Sequence, residues 1–311
     1  MEFFSNKTHF PFMAKRKPAM WFSIALISAS LISLAWQQLN FGVDFTGGTL
    51  IEVGYTQAAN LDKIRTQLKA NAFGDASAQN FGSATDILIR VPPREGISND
   101  KLSNQVMQAL QETGAGLNLR RVEFVGPQVG EELVQGGFLA LFYAFLGILI
   151  YVATRFEYRF AIGAVAALIH DTIITLGVFS WTQAEFNLTV LAAILAVIGY
   201  SLNDTIVVFD RVRDNFRTRR KEKPVAIFDI SLNETLSRTI MTSFTTSLVV
   251  VVLFFFGGEV IHNFAMALMV GIVIGTYSSI YIASAITLNL GISSADLMPV
   301  KKEGQDLSHI P

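Results

Sequence analysis

Six apolar stretches constrain this sequence more than any other feature, because each is long enough to cross the hydrocarbon core of a bilayer, which takes about 20 helical residues. Lipid offers no hydrogen-bond partners to backbone N–H and C=O groups, so stretches of this kind fold as α-helices. Polar sequence of ordinary composition separates them, which predicts a membrane protein that carries a soluble insert. The predicted spans are residues 20–38, 133–154, 160–181, 188–209, 238–256 and 264–290.

The distribution of Lys and Arg predicts the orientation of these spans. Basic residues precede the first span, separate the second from the third and the fourth from the fifth, and follow the sixth, whereas the loops 182–187 and 257–263 contain none. Because basic loops stay on the cytoplasmic side, both termini are predicted to be cytoplasmic. Residues 39–132 are then periplasmic, and the chain is predicted to lie in a bacterial inner membrane. One alternative treats the first span as a secretory signal cleaved after Ser33-Leu34-Ala35.

Composition excludes some chemistry. Charged residues make up only 16% of the chain, against about 25% in soluble domains, and the deficit lies in the apolar stretches. The chain has no cysteine, so disulfides, thiolate metal sites and cysteine nucleophiles are excluded. Neither a cofactor nor a nucleic acid is expected as a ligand.

The polar insert at residues 39–132 predicts one small α+β domain between the first two spans. Its pattern gives strands at 49–55, 78–81, 86–91 and 117–125 and helices at 60–71 and 98–112. Asn60 caps the first helix, and Leu102, Val106 and Leu110 share one face of the second. The order βαββαβ is ferredoxin-like. That fold identifies no function, and the insert shows no metal cluster, no nucleophile with a base and no phosphate loop, so it is expected to bind or position something.

The predicted organisation has five parts: a cytoplasmic tail at 1–19, the first span at 20–38, the periplasmic domain at 39–132, the remaining spans at 133–290, and a cytoplasmic tail at 291–311. The predicted fold class is an α-helical membrane protein with six transmembrane helices and a small ferredoxin-like domain.

Two ionisable residues lie in the middle of the third span. A charged group there costs at least about 2.5 kcal/mol, which makes His170 and Asp171 candidates for function. Consecutive helical residues point about 100° apart, so the two need not address the same partner. Small or polar residues share the face of Asp171 and favour packing against another helix: Ala164, Ala167 and Thr175. The alternative is that both groups only lock the helices together by hydrogen bonds.

A second pair of ionisable residues lies near the cytoplasmic ends of the fourth and fifth spans. Asp204 follows Asn203 about one and a half turns inside the membrane, and Gly199 before it allows a bend or a close helix approach. Arg238 opens the fifth span and leads a polar stripe that continues through Thr242, Thr245 and Thr246. A carboxylate that alternates between ion pairing and protonation is the minimal part of a proton relay. The alternatives are that Asp204 is a buried hydrogen-bond node and that Arg238 reaches the interface.

Glycines mark two further segments. Gly271 and Gly275 in the sixth span have the G-x-x-x-G spacing of a close-packing face, which is usually intramolecular. Gly47 and Gly48 follow Asp44 just outside the first span and allow backbone angles that other residues reach only with strain. We predict that this segment begins the first strand of the domain and couples the domain to the bundle; a mere turn is the alternative.

Four segments together resemble the SecD/SecF family of the RND superfamily: FGVDFTGG at residues 41–48, HDTIITLG at 170–177, GYSLNDTIVVFDRVRDN at 199–215 and SRTIMTS at 237–243. They occur in family order across nearly the whole chain and favour its SecF branch.

The resemblance implies a half-RND-type bundle that forms a complex with SecD, often with YajC, and assists the SecYEG channel. It implies that the complex uses protons to pull unfolded preprotein across the membrane, with Asp204 and Arg238 in proton conduction. Two other functions stay open from the residues: a structural assembly factor that moves no proton, and a small-molecule exporter, against which the single small domain argues. No catalytic constellation favours an enzyme.

Overall fold

The computed structural model describes residues 8–94, 97, 99–111 and 116–293, and of residues 99 and 100 the backbone only. A single 3₁₀ turn, Met13–Lys15, leads into helix α1, Arg16–Trp36. The first span therefore begins a turn earlier than predicted, with Arg16 and Lys17 inside the helix. After α1 the chain forms one helical turn, α2, Val43–Thr46.

The sheet domain, residues 48–125, has the predicted βαββαβ order. Its elements are β1 (Gly48–Gly54), α3 (Leu61–Ala70), β2 (Ser77–Phe81), β3 (Ser83–Val91), α4 (Asn99–Leu110) and β4 (Asn118–Val125). The four strands are antiparallel in the order β2-β3-β1-β4, which is the ferredoxin-like arrangement. Asn60 caps α3 as predicted, since its side chain accepts the N–H groups of Asp62 and Lys63. The predicted end residues of α4, 98 and 112, lie outside the described residues.

One face of the sheet is covered by the two helices, and the core between them is apolar. Ile51 and Val53 of β1 and Ile87 and Ile89 of β3 are fully buried there. The helical side contributes the residues that the 3.6-residue period predicted: Ile64, Leu68, Leu102, Val106 and Leu110. Burial of each such side chain stabilises the domain by about 1.5–3 kcal/mol.

Five more long helices or helix segments follow: α5 (Pro127–Arg155), α6 (Tyr158–Thr182), α7 (Leu188–Thr218), α8 (Pro224–Phe256) and α9 (Glu259–Ser278). A π-helical turn, Ser279–Ala283, continues α9 without a break into α10, Ser284–Asn289. With α1, these make six helices in the described part that are long and apolar enough to cross a membrane. The predicted fold class, six spans with a small sheet domain after the first, is confirmed.

Helices α6, α7 and α9 form the centre of the bundle, and α1, α5 and α8 lie around them. Small residues bring the central helices close. A side-chain carbon on Gly271 would meet the Val197 side chain at 2.2 Å, and one on Gly275 would meet Ser201 at 3.0 Å. The G-x-x-x-G face of α9 therefore packs inside the chain, against α7. Similarly, Gly177 of α6 leaves room for Ser30 of α1.

Helices α7 and α8 extend beyond the predicted spans at the end of the bundle away from the sheet domain. The hydropathy pattern ends α7 at residue 209 and begins α8 at residue 238, but α7 runs to Thr218 and α8 starts at Pro224. Polar pairs hold the extensions together: Arg211 donates to Glu234 at 2.6 Å, and Asn215 donates to Glu234 at 2.7 Å. Hydropathy cannot detect such segments, because a helix continues in water wherever its side chains find partners.

Candidate functional site

The buried polar cluster of the bundle begins with His170 and Asp171 on α6. Both side chains are almost completely buried, with 3% and 1% of their residue surfaces exposed. The Nδ1 atom of His170 lies 2.8 Å from Oδ1 of Asp171. The two neighbouring side chains therefore contact each other, because the long imidazole reaches the shorter carboxylate. Their 100° separation along the helix did not predict this contact.

Two other helices donate hydrogen bonds to the second carboxylate oxygen of Asp171. Ser201 of α7 donates to Oδ2 at 2.6 Å, and Ser278 of α9 donates to the same atom at 2.7 Å. Both oxygens of this carboxylate therefore have partners: Oδ2 accepts from two serines, and Oδ1 contacts the imidazole. Asp171 thus ties the three central helices together, and the predicted packing face along Ala164 and Ala167 is buried.

A line of hydroxyl groups runs from this cluster toward the second buried aspartate. Ser279 lies in the π-helical turn, where its Oγ donates to the Gly275 carbonyl at 2.9 Å and lies 2.8 Å from Oγ1 of Thr205. Thr205 is the residue directly after Asp204, and Ser201 lies one turn before it. The turn Ser279–Ala283 follows Ser278, the partner of Asp171, and its first residue contacts Thr205; π-helical turns inside α-helices are frequent at functional sites.

Asp204 of α7 is 2% exposed and has one weak side-chain partner. Thr242 of α8 donates to its Oδ1 at 3.4 Å, and its Oδ2 has no hydrogen-bond partner among the described residues. A buried polar atom without a partner costs about 1–3 kcal/mol or more, and in a native protein it calls for an explanation. A bound proton or an ordered water is the ordinary one.

Arg238 of α8 lies at the edge of this site and does not complete it. In the described part of the chain its guanidinium forms no ion pair at 4.0 Å or less, with Asp204 or with any other carboxylate. Thr242, one helical turn after Arg238, contacts Asp204 instead, and its hydroxyl also donates to the Arg238 backbone carbonyl at 3.1 Å. The Arg238 side chain instead lines an open cavity with Asn203, Asp210 and Glu234.

One face of α7 beside this cavity has no neighbour within the described residues. Its exposed members recur at helical spacing and are small or polar: Ala192, Ala196, Gly199 and Asn203. A side-chain carbon on Gly199 would meet nothing within 4 Å outside its own helix turn. Within this chain α7 continues through Gly199 as one helix, and the glycine is exposed, so a close helix approach at this position needs a helix from outside the described residues. We call these four residues the small face of α7.

A second site joins the sheet domain to the bundle. The segment around Asp44 was predicted to begin the first strand. Only its last residue does so: β1 starts at Gly48, and Asp44 itself lies in the helical turn α2. This turn presents the Asp44 carboxylate to the first turn of α7, where Oδ2 accepts the Leu188 N–H at 2.9 Å. Helix N-termini carry unpaired N–H groups and a positive dipole end, so the carboxylate stabilises this end of α7.

The two glycines after α2 have the backbone angles that their sequence predicted. Gly47 has φ = +68° and Gly48 has φ = +123°. Both are also crowded: an added side-chain carbon would lie 2.9 Å from Cα of Pro127 at Gly47 and 2.6 Å from the Val91 carbonyl oxygen at Gly48. The chain turns here between α1, the sheet and α5, and residues with side chains do not fit.

Further contacts fix the junction to the loop between α6 and α7. Arg90 of β3 forms an ion pair with Glu185 at 2.6 Å and donates to the Phe41 carbonyl at 2.8 Å. Phe41, Phe45 and Phe186 pack ring against ring beneath it, with centroids about 5.8–5.9 Å apart. The sheet domain is therefore held directly to the N-terminal end of α7, the helix that carries Asp204 near its middle.

Sequence reasoning missed the partners in both sites. The partners of Asp171 are serines of α7 and α9 that look like ordinary polar residues of a span, and the partner of Asp204 is Thr242 of the polar stripe on α8. Ser201 stands within the polar segment that drew attention to Asp204, so its spacing was a usable signal. Nothing in the sequence connects Arg90 to Glu185, since 95 positions separate them. Asp210, later on α7, pairs with Arg213 of its own helix and with Arg155 of α5.

The fold and the site define a multi-pass α-helical membrane protein with buried ionisable residues inside its bundle. Comparisons with known proteins identify its family. Residues 105–293 match the family described as "Protein export membrane protein SecD/SecF, C-terminal", and residues 32–59 match the SecD/SecF GG motif. The chain is 55% identical to the protein translocase subunit SecF of Vibrio alginolyticus, over 96% of each chain, and 50% identical to that of Pseudomonas aeruginosa, over 93% of this chain and 94% of the other. It belongs to the SecF family of protein translocase subunits.

Solved structures agree with this assignment. The translocon-associated membrane protein SecDF of Thermus thermophilus matches with a TM-score of 0.84 at 32% identity. The match covers 91% of this chain and 39% of that one, so the chain corresponds to one part of a longer protein. SecDF in the super-membrane-facing form matches with a TM-score of 0.70 over 92% of this chain.

Proposed function

We propose that this chain acts with SecD in the bacterial inner membrane as a proton-driven subunit of the Sec translocase. In this function it takes up protons at Asp204 and uses their passage to drive unfolded preprotein through the SecYEG channel, with YajC as a further component. Both termini face the cytoplasm, and the sheet domain faces the periplasm. The observation that carries the proposal is the unpartnered Oδ2 atom of Asp204, buried in the membrane beside an arginine that it does not pair with.

The geometry supports proton uptake more than a purely structural role. A carboxylate that only holds helices together is expected to have its oxygens satisfied, as both oxygens of Asp171 are. Asp204 has one long hydrogen bond and one empty acceptor. Rotation of the Arg238 side chain out of the cavity toward Asp204 would pair the two, and its return would leave Asp204 to a proton. Asp171 and His170 complete the set of groups proposed for the relay.

The same reasoning supports SecD as the partner. The small face of α7 and the cavity around Arg238 expose polar and small residues at a membrane-embedded surface, and such surfaces favour helix packing over lipid contact. The SecDF of Thermus thermophilus carries both names in one chain, of which this chain matches 39%. A SecD helix lying against the small face would also cover Asn203 and close the cavity over Asp204.

An uncoupler distinguishes this function from that of an assembly factor. The chain is supplied to a bacterial host depleted of its own SecF, and preprotein export is measured in inverted membrane vesicles with a proton gradient. We expect the chain to stimulate export, and we expect the stimulation to disappear when an uncoupler collapses the gradient while ATP is maintained. Stimulation of equal size with and without the gradient would show that the chain supports assembly and moves no proton.

A bulky residue on the small face tests the partner. We expect Gly199→Leu to abolish co-purification with SecD in mild detergent, since the added side chain stands where a second helix has to approach closely. The variant itself should fold, because nothing in the described chain lies in its way. Gly147→Leu is the matched control: it is also an open glycine in a span, on α5, and should leave SecD bound. Normal binding by Gly199→Leu would place the partner elsewhere.

A further inference from the structure

The imidazole of His170 has one nitrogen held and one free. Its Nδ1 lies against Asp171, whereas Nε2 is buried and has no hydrogen-bond partner among the described residues. Ser201 and Ser278 donate to the other oxygen of the same carboxylate, so we assign Nδ1 of His170 as the donor and Asp171 as the acceptor of the contact between them. A neutral ring in that tautomer presents the Nε2 lone pair as an unoccupied acceptor. The arrangement matches that of an imidazole base that a carboxylate orients.

Two serines hold the Asp171 carboxylate in its orientation toward His170. Ser201 and Ser278 occupy Oδ2, so the carboxylate cannot turn away from His170 without losing two hydrogen bonds. When Nε2 takes a proton, the ring becomes an imidazolium whose positive charge lies 2.8 Å from an ionised carboxylate. Burial penalises an isolated imidazolium strongly, but the pair is neutral overall, and the penalty is correspondingly smaller.

Few other titratable groups face the ring from the helices packed around it. Tyr277 of α9 lies beside it with ring centroids 6.2 Å apart, and the Tyr277 hydroxyl is itself engaged with the Ala19 carbonyl at 2.7 Å and with Ser23 of α1 at 3.0 Å. From α7 the nearest carboxylate along the chain is Asp204, one turn beyond Ser201. Asp171 is thus the one counter-charge in direct contact with His170 in the described part.

We propose that the His170–Asp171 pair is a second proton-binding site, in which Nε2 of His170 takes up and releases the proton while Asp171 orients the ring. The proton comes from water on one side of the membrane and returns to water. The Nδ1–H bond stays intact throughout, and Asp171 stays ionised. As a step of a relay this inference rests on the function proposed above; as a proton-binding site it depends only on the geometry of α6, α7 and α9.

The test measures the protonation state of the His170 imidazole by NMR. The full chain, labelled with ¹⁵N in its four histidines, is placed in lipid nanodiscs and titrated by NMR, and the His170 signals are assigned by their loss in His170→Asn. We expect a neutral Nδ1–H ring at high pH and reversible conversion to the imidazolium at low pH. Asp171→Asn, which removes the counter-charge, should abolish the imidazolium signal. A ring that keeps one protonation state over the whole range in which the chain stays folded would overturn the proposal.

Two further measurements distinguish proton binding at His170 from the relay proposed at Asp204. His170→Asn keeps an amide N–H near the Nδ1 position but has no nitrogen at the Nε2 position, so we expect it to bind SecD and lose gradient-dependent export. Full export by that variant would show that the site plays no part in the work of the complex. The titration is repeated in Asp204→Asn, where we expect His170 still to titrate. Titration at His170 combined with gradient-driven export in Asp204→Asn would refute the function at Asp204 and leave the second site standing.

Discussion

Asp204→Asn is expected to assemble with SecD at normal levels and to lose all gradient-dependent stimulation of export. Asparagine keeps the volume and an oxygen that can accept the Thr242 hydroxyl, so the helices α7 and α8 should pack as before. It cannot alternate between a charged and a neutral form, and the proton-dependent part of the activity should therefore fall to background. The measurement is preprotein export in inverted vesicles, with and without a gradient, at matched levels of complex.

A conservative variant and a control variant accompany Asp204→Asn. Asp204→Glu retains an ionisable carboxyl group and should keep part of the stimulation, reduced because the longer side chain moves the acid relative to Thr242. Asp62→Asn is the control: it removes a carboxylate of the sheet domain, away from the bundle, whose ion pair with Arg65 joins two exposed side chains. Exposed pairs of this kind contribute about 0–1 kcal/mol, so export should be nearly unchanged. An Asp204→Asn complex with full gradient-driven export would refute a relay at this residue.

Valine in place of both Gly47 and Gly48 is expected to reduce export severely while the six spans still insert. Both positions have positive φ, and strained angles of this kind cost about 1–3 kcal/mol each for residues with a side chain. The new side chains would also overlap the backbone at Pro127 and Val91, so the turn cannot keep its shape. The Asp44 carboxylate would then leave the start of α7, and the sheet domain would lose its fixed position on the bundle.

Gly74→Val provides the comparison within the same domain. Gly74 has no positive φ, and the nearest atom that a side-chain carbon would meet is in the flexible Lys69 side chain, at 3.4 Å. We expect this variant to insert, fold and export as the parent does. Membrane insertion of each variant is followed by alkaline extraction, and domain folding by limited proteolysis. Unchanged export by the double valine variant would reduce the segment to a simple turn.

The sequence predicted the architecture because two periodicities dominate it. Long apolar stretches in the bundle have no stable alternative to helices in lipid, and the sheet domain alternates apolar residues at periods of 2 and 3.6 that match its strands and helices. Asn60 was recognisable because an N-cap acts on residues directly after it in the chain. Periodicity and capping depend on residues that are close together in the chain, so a single sequence is enough to predict them.

The relations that were missed are between helices. The hydroxyls of Ser201 and Ser278 reach Asp171 because Gly275 lets α7 and α9 approach closely, and no pattern within one helix reports which neighbour it meets. The helical turn at Asp44 lies in a segment that was predicted to begin a strand. The turn is fixed by the Leu188 N–H, 144 positions further along the chain, and by the ring of Phe186. Residues with the right chemistry were predictable; their partners were not.

Proton movement through the reconstituted complex tests the central claim most directly. The chain and SecD are incorporated into proteoliposomes that contain a pH-sensitive dye, a pH gradient is imposed, and internal acidification is followed for the parent and for Asp204→Asn at equal protein content. We predict acidification that requires SecD and that falls to the rate of empty liposomes in Asp204→Asn. Equal acidification by the parent and Asp204→Asn, or none by the parent complex during active export, would contradict the account.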